Sequence, residues 1–269
     1  MRKFKKAGVY IFLTVFSLIS IFPLYWMIAA ATNNSTDILA GKLMIGANFV
    51  KNLTKLLEQQ NVGRAFGNSL CYSTVLSILS LLVCSIAGYG FEIYHDKAKD
   101  MVMSILLLAM MVPFSATLIP LFKMFAGMKL QSTWIAYVLP TISTPFLIML
   151  FRQSARTFPT EIIEAARIDG LSELKIFLHI FVPTMKSTYA AAMTVTFMNA
   201  WNNYLWPKVI MISGDSQTMP MLVANLSTGY SIDYGVLMLG VLICSLPTGI
   251  LFLILQNSFA NGIVGAVKG

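Results

Sequence analysis

Six stretches of the chain carry apolar side chains with almost no charge: residues 9–32, 69–93, 101–122, 134–151, 188–207 and 234–259. A helix needs about 20 such residues to cross the hydrocarbon core of a bilayer, so the pattern predicts six transmembrane helices, the fourth being the shortest. The intervening segments are polar. Residues 33–67 form a long connection in which Phe49, Val50, Leu53, Leu56 and Leu57 recur at helical spacing. Residues 152–187 form a second. A third, 213–233, is rich in Ser, Thr, Gly and Asp. The expected organisation is a first span with its loop (1–66), a core (67–260) carrying the loop 152–187, and a tail (261–269).

Composition agrees with this reading. Of 269 residues, 57% are hydrophobic and 11% charged, against about 25% charged in soluble domains. So few charges cannot cover a water-facing surface, and the expected fold class is an all-α membrane protein. Arg2, Lys3, Lys5 and Lys6 before the first span resemble the start of a signal peptide. The apolar run that follows exceeds an h-region of about 7–15 residues, however, and is read as a retained span. The net charge of +8 is dispersed rather than gathered among aromatics, which points away from nucleic acid. Both termini are expected on the cytoplasmic side. That places seven basic residues outside (Lys42, Lys51, Lys55, Arg64, Lys123, Lys129, Lys208) and the other twelve of nineteen inside. Cys71, Cys84 and Cys244 lie in apolar runs without ligand spacing and are expected to be small buried residues.

The spans lack the groups that couple transport to ions. Glu92 alone is acidic, at the end of the second span, and is expected to sit at the interface near Lys97 and Lys99. No Gly-x-x-x-x-Gly-Lys-Ser/Thr phosphate loop occurs, and no catalytic or metal-ligating constellation is evident. An ion-coupled carrier or channel is therefore the weaker alternative, and uphill movement of a solute would draw its energy from a partner.

The loop 152–187 has the clearest local grammar. After Pro159, the run Thr160 to Ile168 reads as a short helix with Thr160 as N-cap. Glu161 and Glu164 sit at the positive end of its dipole, and Gly170 serves a left-handed exit. A second helix starts near Ser172, and a right-angle bend is expected between the two. Small Ala165, Ala166 and Gly170 would let another backbone approach. An amphipathic helix lying among headgroups fits the same pattern.

Glu164-Ala165-Ala166, with Gly170 after three residues, Ile180 after nine more, and then Val182-Pro183, resembles the EAA loop of binding-protein-dependent ABC importer permeases. Val182 stands where that family usually has Leu. Phe66-Gly67-Asn68-Ser69-Leu70, Met111-Val112-Pro113, Ile119-Pro120-Leu121, Trp201-Asn202-Asn203-Tyr204 and the tail Gly262 to Gly269 are similar to the carbohydrate-uptake branch, although an acidic residue is commoner than Asn203. Within that branch the chain resembles the six-span second permease of maltose, oligosaccharide and glycerol-3-phosphate systems. The resemblance implies a type I ABC importer transmembrane domain in a bacterial or archaeal cytoplasmic membrane. Implied partners are a second homologous permease, two ABC ATPase subunits that carry the ATP and Mg, and an extracytoplasmic solute-binding protein. Glu164, Ala165, Ala166, Asp169, Gly170, Ile180 and Pro183 would form the ATPase-coupling segment, and this chain would bind no cofactor itself. Polyamine, peptide and glycerol phosphate permeases belong to the same superfamily.

In the fifth span Thr196, Asn199, Asn202, Asn203 and Trp206 share one helical face. Amides and hydroxyls beside aromatic faces suit a sugar, so Thr196, Asn199, Asn202 and Asn203 are candidates for the substrate pathway. Interhelical hydrogen bonds, with Trp201, Tyr204 and Trp206 in an aromatic belt, are the competing explanation.

Overall fold

The computed structural model describes residues 2–228 and 230–267. Its order is α1 (Arg2–Ala31), α2 (Ser35–Leu39), α3 (Phe49–Gln59), α4 (Val62–Ile93), α5 (Lys97–Ala109), α6 (Phe114–Gly127), α7 (Trp134–Val138), α8 (Pro145–Arg156), α9 (Thr160–Ile168), α10 (Glu173–Ile176), α11 (Val182–Thr184), α12 (Lys186–Trp201), α13 (Leu205–Ile210), α14 (Met219–Leu226) and α15 (Tyr234–Val267). No strand occurs among the described residues. Lys268 and Gly269 of the expected tail lie outside them.

Among the described residues, three helices are long and apolar enough to cross a membrane unaided: α1 from Gly8, α4, and α15 to Gln256. The third and fourth expected spans are broken rather than straight. Helices α5 and α6 meet at 97°, and α7, prolonged by a tight turn to Thr141, meets α8 at 55°. Each break precedes a proline, Pro113 or Pro145, which lacks an N–H and biases the residue before it away from helical geometry. Met110, Met111 and Val112 still bond back to Leu107, Leu108 and Ala109, so the end of α5 closes as turns. The fifth expected span is a 16-residue helix that stops at Trp201.

The chain forms two compact units. One comprises Met1–Phe66 and Met219–Leu246. Its connection 33–60 is firmly built. Asn52 donates to the carbonyls of Ala31 and Asn33, both at 2.9 Å, and Asn33 donates to those of Ala29 and Met44, both at 2.8 Å. Helix α15 enters against them at Gly235, where a Cβ would lie 2.5 Å from the Asn33 carbonyl. Lys55 pairs with Asp233 at 2.7 Å, and the Ser35 hydroxyl accepts from the Tyr234 N–H at 3.0 Å. Burial pushes the Asp233 carboxyl up, but Lys55, the Val236 N–H and Ser35 outweigh it and hold the group below its ordinary value.

The other unit, Gly67–Thr218 and Pro247–Gly269, is organised around α4. Ser69, Ser73, Leu76, Ser77, Ser80 and Cys84 are buried at spacings of three and four, so they share one face. Gly88 continues that face, and a Cβ there would sit 2.6 Å from the Phe151 Cβ and 2.7 Å from the Arg152 nitrogen. This is a small-residue contact of the kind that lets helices approach in a bilayer. Cys84 fits the expectation of burial; Cys71 does not, being exposed, and Cys244 is half-buried.

Trp201 and Trp206 are buried inside this unit, 1% and 0% exposed, which overturns their placement in an aromatic belt. Trp206 donates from Nε1 to the Ala136 carbonyl at 2.8 Å and packs edge-on against Phe125 and Phe114. Because α12 ends at Trp201, with Asn202 as its C-cap, Trp206 lies in the next helix, α13, and leaves the stripe.

Glu92 also departs from expectation. It accepts from Arg152 Nε at 3.0 Å, while Arg152 Nη2 reaches Asp100 at 2.6 Å. His95 meets the other Asp100 oxygen at 2.9 Å, and Lys99 pairs with Asp96 instead. One guanidinium thus ties together the ends of α4, α5 and α8, its fork suiting two carboxylates.

Candidate functional site

Two places draw together the residues singled out above. The first is α9 and the segment that follows it. Pro159, in extended geometry, occupies the N-cap position, so Thr160 enters the helix as its first residue and makes no cap bond. The exit is as expected: Gly170 has φ +79°, its N–H reaches Arg167 O, and Leu171 N–H reaches Ala166 O, both at 3.0 Å. These are the two crossed bonds of a Schellman closure.

Helix α9 is seated on a cluster of Tyr89, Ala155, Phe158, Ile163, Ala166, Ile176, Phe177 and Phe181. Tyr89 meets Phe177 and Phe181 edge-on, at 5.3 and 4.9 Å. Ala166 is small because it faces this core, 6% exposed, whereas Ala165 faces outward. Ala165, Ala166, Asp169 and Ile180 line one open depression of 420 Å³, with Glu161, Ile162 and Leu171. Glu164 lies apart, lining a separate hollow with Arg156, Arg167 and Glu92. Gly170 and Pro183 line neither.

Arg167 donates to Glu173 at 2.7 Å, joining α9 to α10. Arg167, and then the Tyr94 hydroxyl, hold the Glu173 carboxyl below its ordinary value. Phe177–Phe181 then widen into a π turn, and Pro183, which cannot donate, lies two residues beyond it. Such turns concentrate at functional places. Tyr94 and Arg152 escaped the sequence reading, since their partners are remote and no local spacing announces them.

The second place is a cavity of 180 Å³ beside α12. Of the expected stripe, Thr196, Asn199 and Asn203 line it, together with Thr141, Thr144, Phe146 and Leu147 from the α7–α8 break. Asn202, exposed at the helix end, does not. Thr141 and Thr144 were missed because they lie in a presumed continuous span. Among the described residues no group of three or more His, Cys, Asp or Glu could hold a metal.

Long apolar helices and two bent helix pairs define a multi-pass, helical membrane protein. Residues 94–264 match the family described as "Binding-protein-dependent transport system inner membrane component", and the chain belongs to that family. It is 42% identical over 259 residues to the lactose transport system permease protein LacG of Rhizobium radiobacter, covering 96% of this chain and 95% of that protein. It is 34% identical over 259 residues to the arabinooligosaccharides transport system permease protein AraQ of Halalkalibacterium halodurans, covering 94% and 93%. The fold is shared with a crystal structure of a bacterial ABC transporter involved in import of the acidic polysaccharide alginate, at a TM-score of 0.84, 16% identity and 96% and 98% coverage.

Proposed function

We propose that this chain is the permease subunit of an ATP-driven importer of a sugar or oligosaccharide in a bacterial cytoplasmic membrane. In this reading it crosses the membrane six times, with both termini in the cytoplasm, and encloses the pathway with a second permease. An extracytoplasmic binding protein delivers the solute. Separate ATPase subunits hydrolyse ATP and dock on the segment from Glu164 to Pro183. The names of the relatives support the sugar.

The observation that carries the coupling role is the seating of α9. Its inner face is locked on the Tyr89–Phe181 core, its exit is closed at Gly170, and Ala165 and Asp169 stand exposed over an open depression. A rigid handle with an unfilled outer face can transmit a push, as coupling between distant sites requires. Thr196, Asn199, Asn202 and Asn203 face the pathway in this reading.

The test is co-purification of the ATPase with the membrane-inserted permease pair. Gly170→Pro cannot adopt φ +79°, Glu164→Lys reverses a charge, and Ala165→Trp fills the depression. All three are expected to lose the ATPase and uptake while remaining in the membrane. Normal ATPase recovery with Ala165→Trp and Glu164→Lys would refute docking at this segment.

A further inference from the structure

In the first unit, the segment from Leu39 to Val50 joins α2 to α3 and exposes bulky apolar side chains. Leu39, Leu43, Met44, Ile45 and Val50 are each between 46% and 74% exposed. The backbone faces the other way. The Leu43 carbonyl accepts from the Tyr25 hydroxyl and the Met44 carbonyl from Asn33 Nδ2, both at 2.8 Å. The Gly46 N–H donates to Thr32 Oγ1 and the Asn48 N–H to the Thr32 carbonyl, again at 2.8 Å. Polar main-chain groups are thus turned onto the end of α1 and apolar side chains turned outward. That arrangement suits lipid, where an unpaired backbone group is costly. The depth agrees. Taken as a span, α1 runs over the 24 residues Gly8–Ala31, about 36 Å against a hydrocarbon core of about 30 Å. Tyr25 stands about 9 Å short of its end. Even with the whole excess of about 6 Å placed at this end, Tyr25 remains inside the core. Leu43 lies one tyrosine side chain away from it.

We propose that residues 39–50 form a lipid anchor, inserted at the boundary of acyl chains and headgroups in the leaflet where α1 ends. Leu39, Leu43, Met44, Ile45 and Val50 lie among the acyl chains. Lys51, exposed next to Val50, makes no ion pair among the described residues, whereas Lys42 is paired with Asp37. Its long stem lets the ammonium reach a headgroup phosphate from that depth. Another protein chain is the competing occupant. Contacts between proteins in a bilayer favour small residues, and the exposed set is Leu, Met, Ile and Val. The inference goes beyond the importer reading: it needs only that α1 spans the bilayer, and it holds whatever solute is carried.

The test uses the assembled transporter in phospholipid vesicles, with a nitroxide spin label on single cysteines in a background lacking the native ones. The labelled positions are Met44→Cys and Val50→Cys in the anchor and Ile19→Cys near the middle of α1. Each replaces an exposed side chain, so folding should survive. Collisions with oxygen, which concentrates in lipid, are compared with collisions with a water-soluble nickel chelate. The ratio of oxygen to chelate collisions should exceed one at all three labels and be highest at Ile19→Cys, the deepest. A chelate excess at Met44→Cys and Val50→Cys, with Ile19→Cys in lipid, puts the segment in water and overturns the anchor alone. Shielding of both labels from both reagents puts another subunit over the segment and also overturns it. Chelate access at Ile19→Cys overturns the span itself, and with it the membrane reading on which the importer rests.

Discussion

Helices α1 and α4 have the same mean hydropathy, 2.1 over their most apolar stretch, yet none of that stretch in α1 is buried within the chain and 39% of it in α4 is. The difference lies in side-chain size. Helix α1 presents Phe12, Phe16, Leu18, Ile19 and Phe22 on its surface, whereas α4 gathers Ser, Cys and Gly on one face. In a bilayer there is little hydrophobic gain from putting Leu against a helix instead of lipid, so close packing and small residues decide which helices meet. Hydropathy reports that a helix enters the membrane; size reports what it touches there.

That contrast can be broken most severely at Gly88. Gly88→Leu drives a side chain into the backbone of α8, and the expected result is loss of the folded protein, with no monodisperse peak in gel filtration after detergent extraction. Overpacking alone costs about 1–3 kcal/mol, and backbone cannot step aside as a side chain can. Next is Ser77, buried with its hydroxyl bonded to Ser73 O at 2.7 Å. Ser77→Leu should lower the melting midpoint strongly, while Ser77→Ala changes it little, because volume and not the hydroxyl matters on this face.

Arg152→Met leaves Glu92 without its partner and should cost about 1–2 kcal/mol, a value reduced by the half-exposed Asp100 side. The same thermal assay reads it. A milder effect belongs to pH. Glu173 is held below its ordinary value of 4.5, so its tie to Arg167 is fully present above that pH and is lost as pH falls through the depressed value. Hydrogen exchange in residues 160–176 should rise as the pH is taken below 4.5, and the rise should vanish in Glu173→Gln. Smallest of all, Ile19→Ala on α1 should shift the midpoint by less than about 0.5 kcal/mol equivalent. A large loss there would undo the comparison.

The sequence made α1, α3, α4, α15 and the loop helix α9 legible, since each rests on local spacing. The breaks before Pro113 and Pro145 were hidden because an apolar run averages over them, and proline alone does not mark them. Pro23, Pro120 and Pro247 lie within unbroken helices, as neighbours in a membrane protein can re-satisfy the freed groups. At the sites, Gly170 was readable from chemistry. The inward turn of Ala166 and the burial of Trp206 depend on packing partners. Glu92 drew its expected cations from its neighbours in sequence, but the cation that binds it is 60 residues away.

That separation has a consequence in time. Glu92 and Asp100 leave the ribosome 60 and 52 residues before Arg152. At about 5–20 residues per second, the two carboxylates wait roughly 3–12 seconds for the side chain that joins them. Until then the ends of α4 and α5 have no common tether, and the arrival of α8 is the event that closes them.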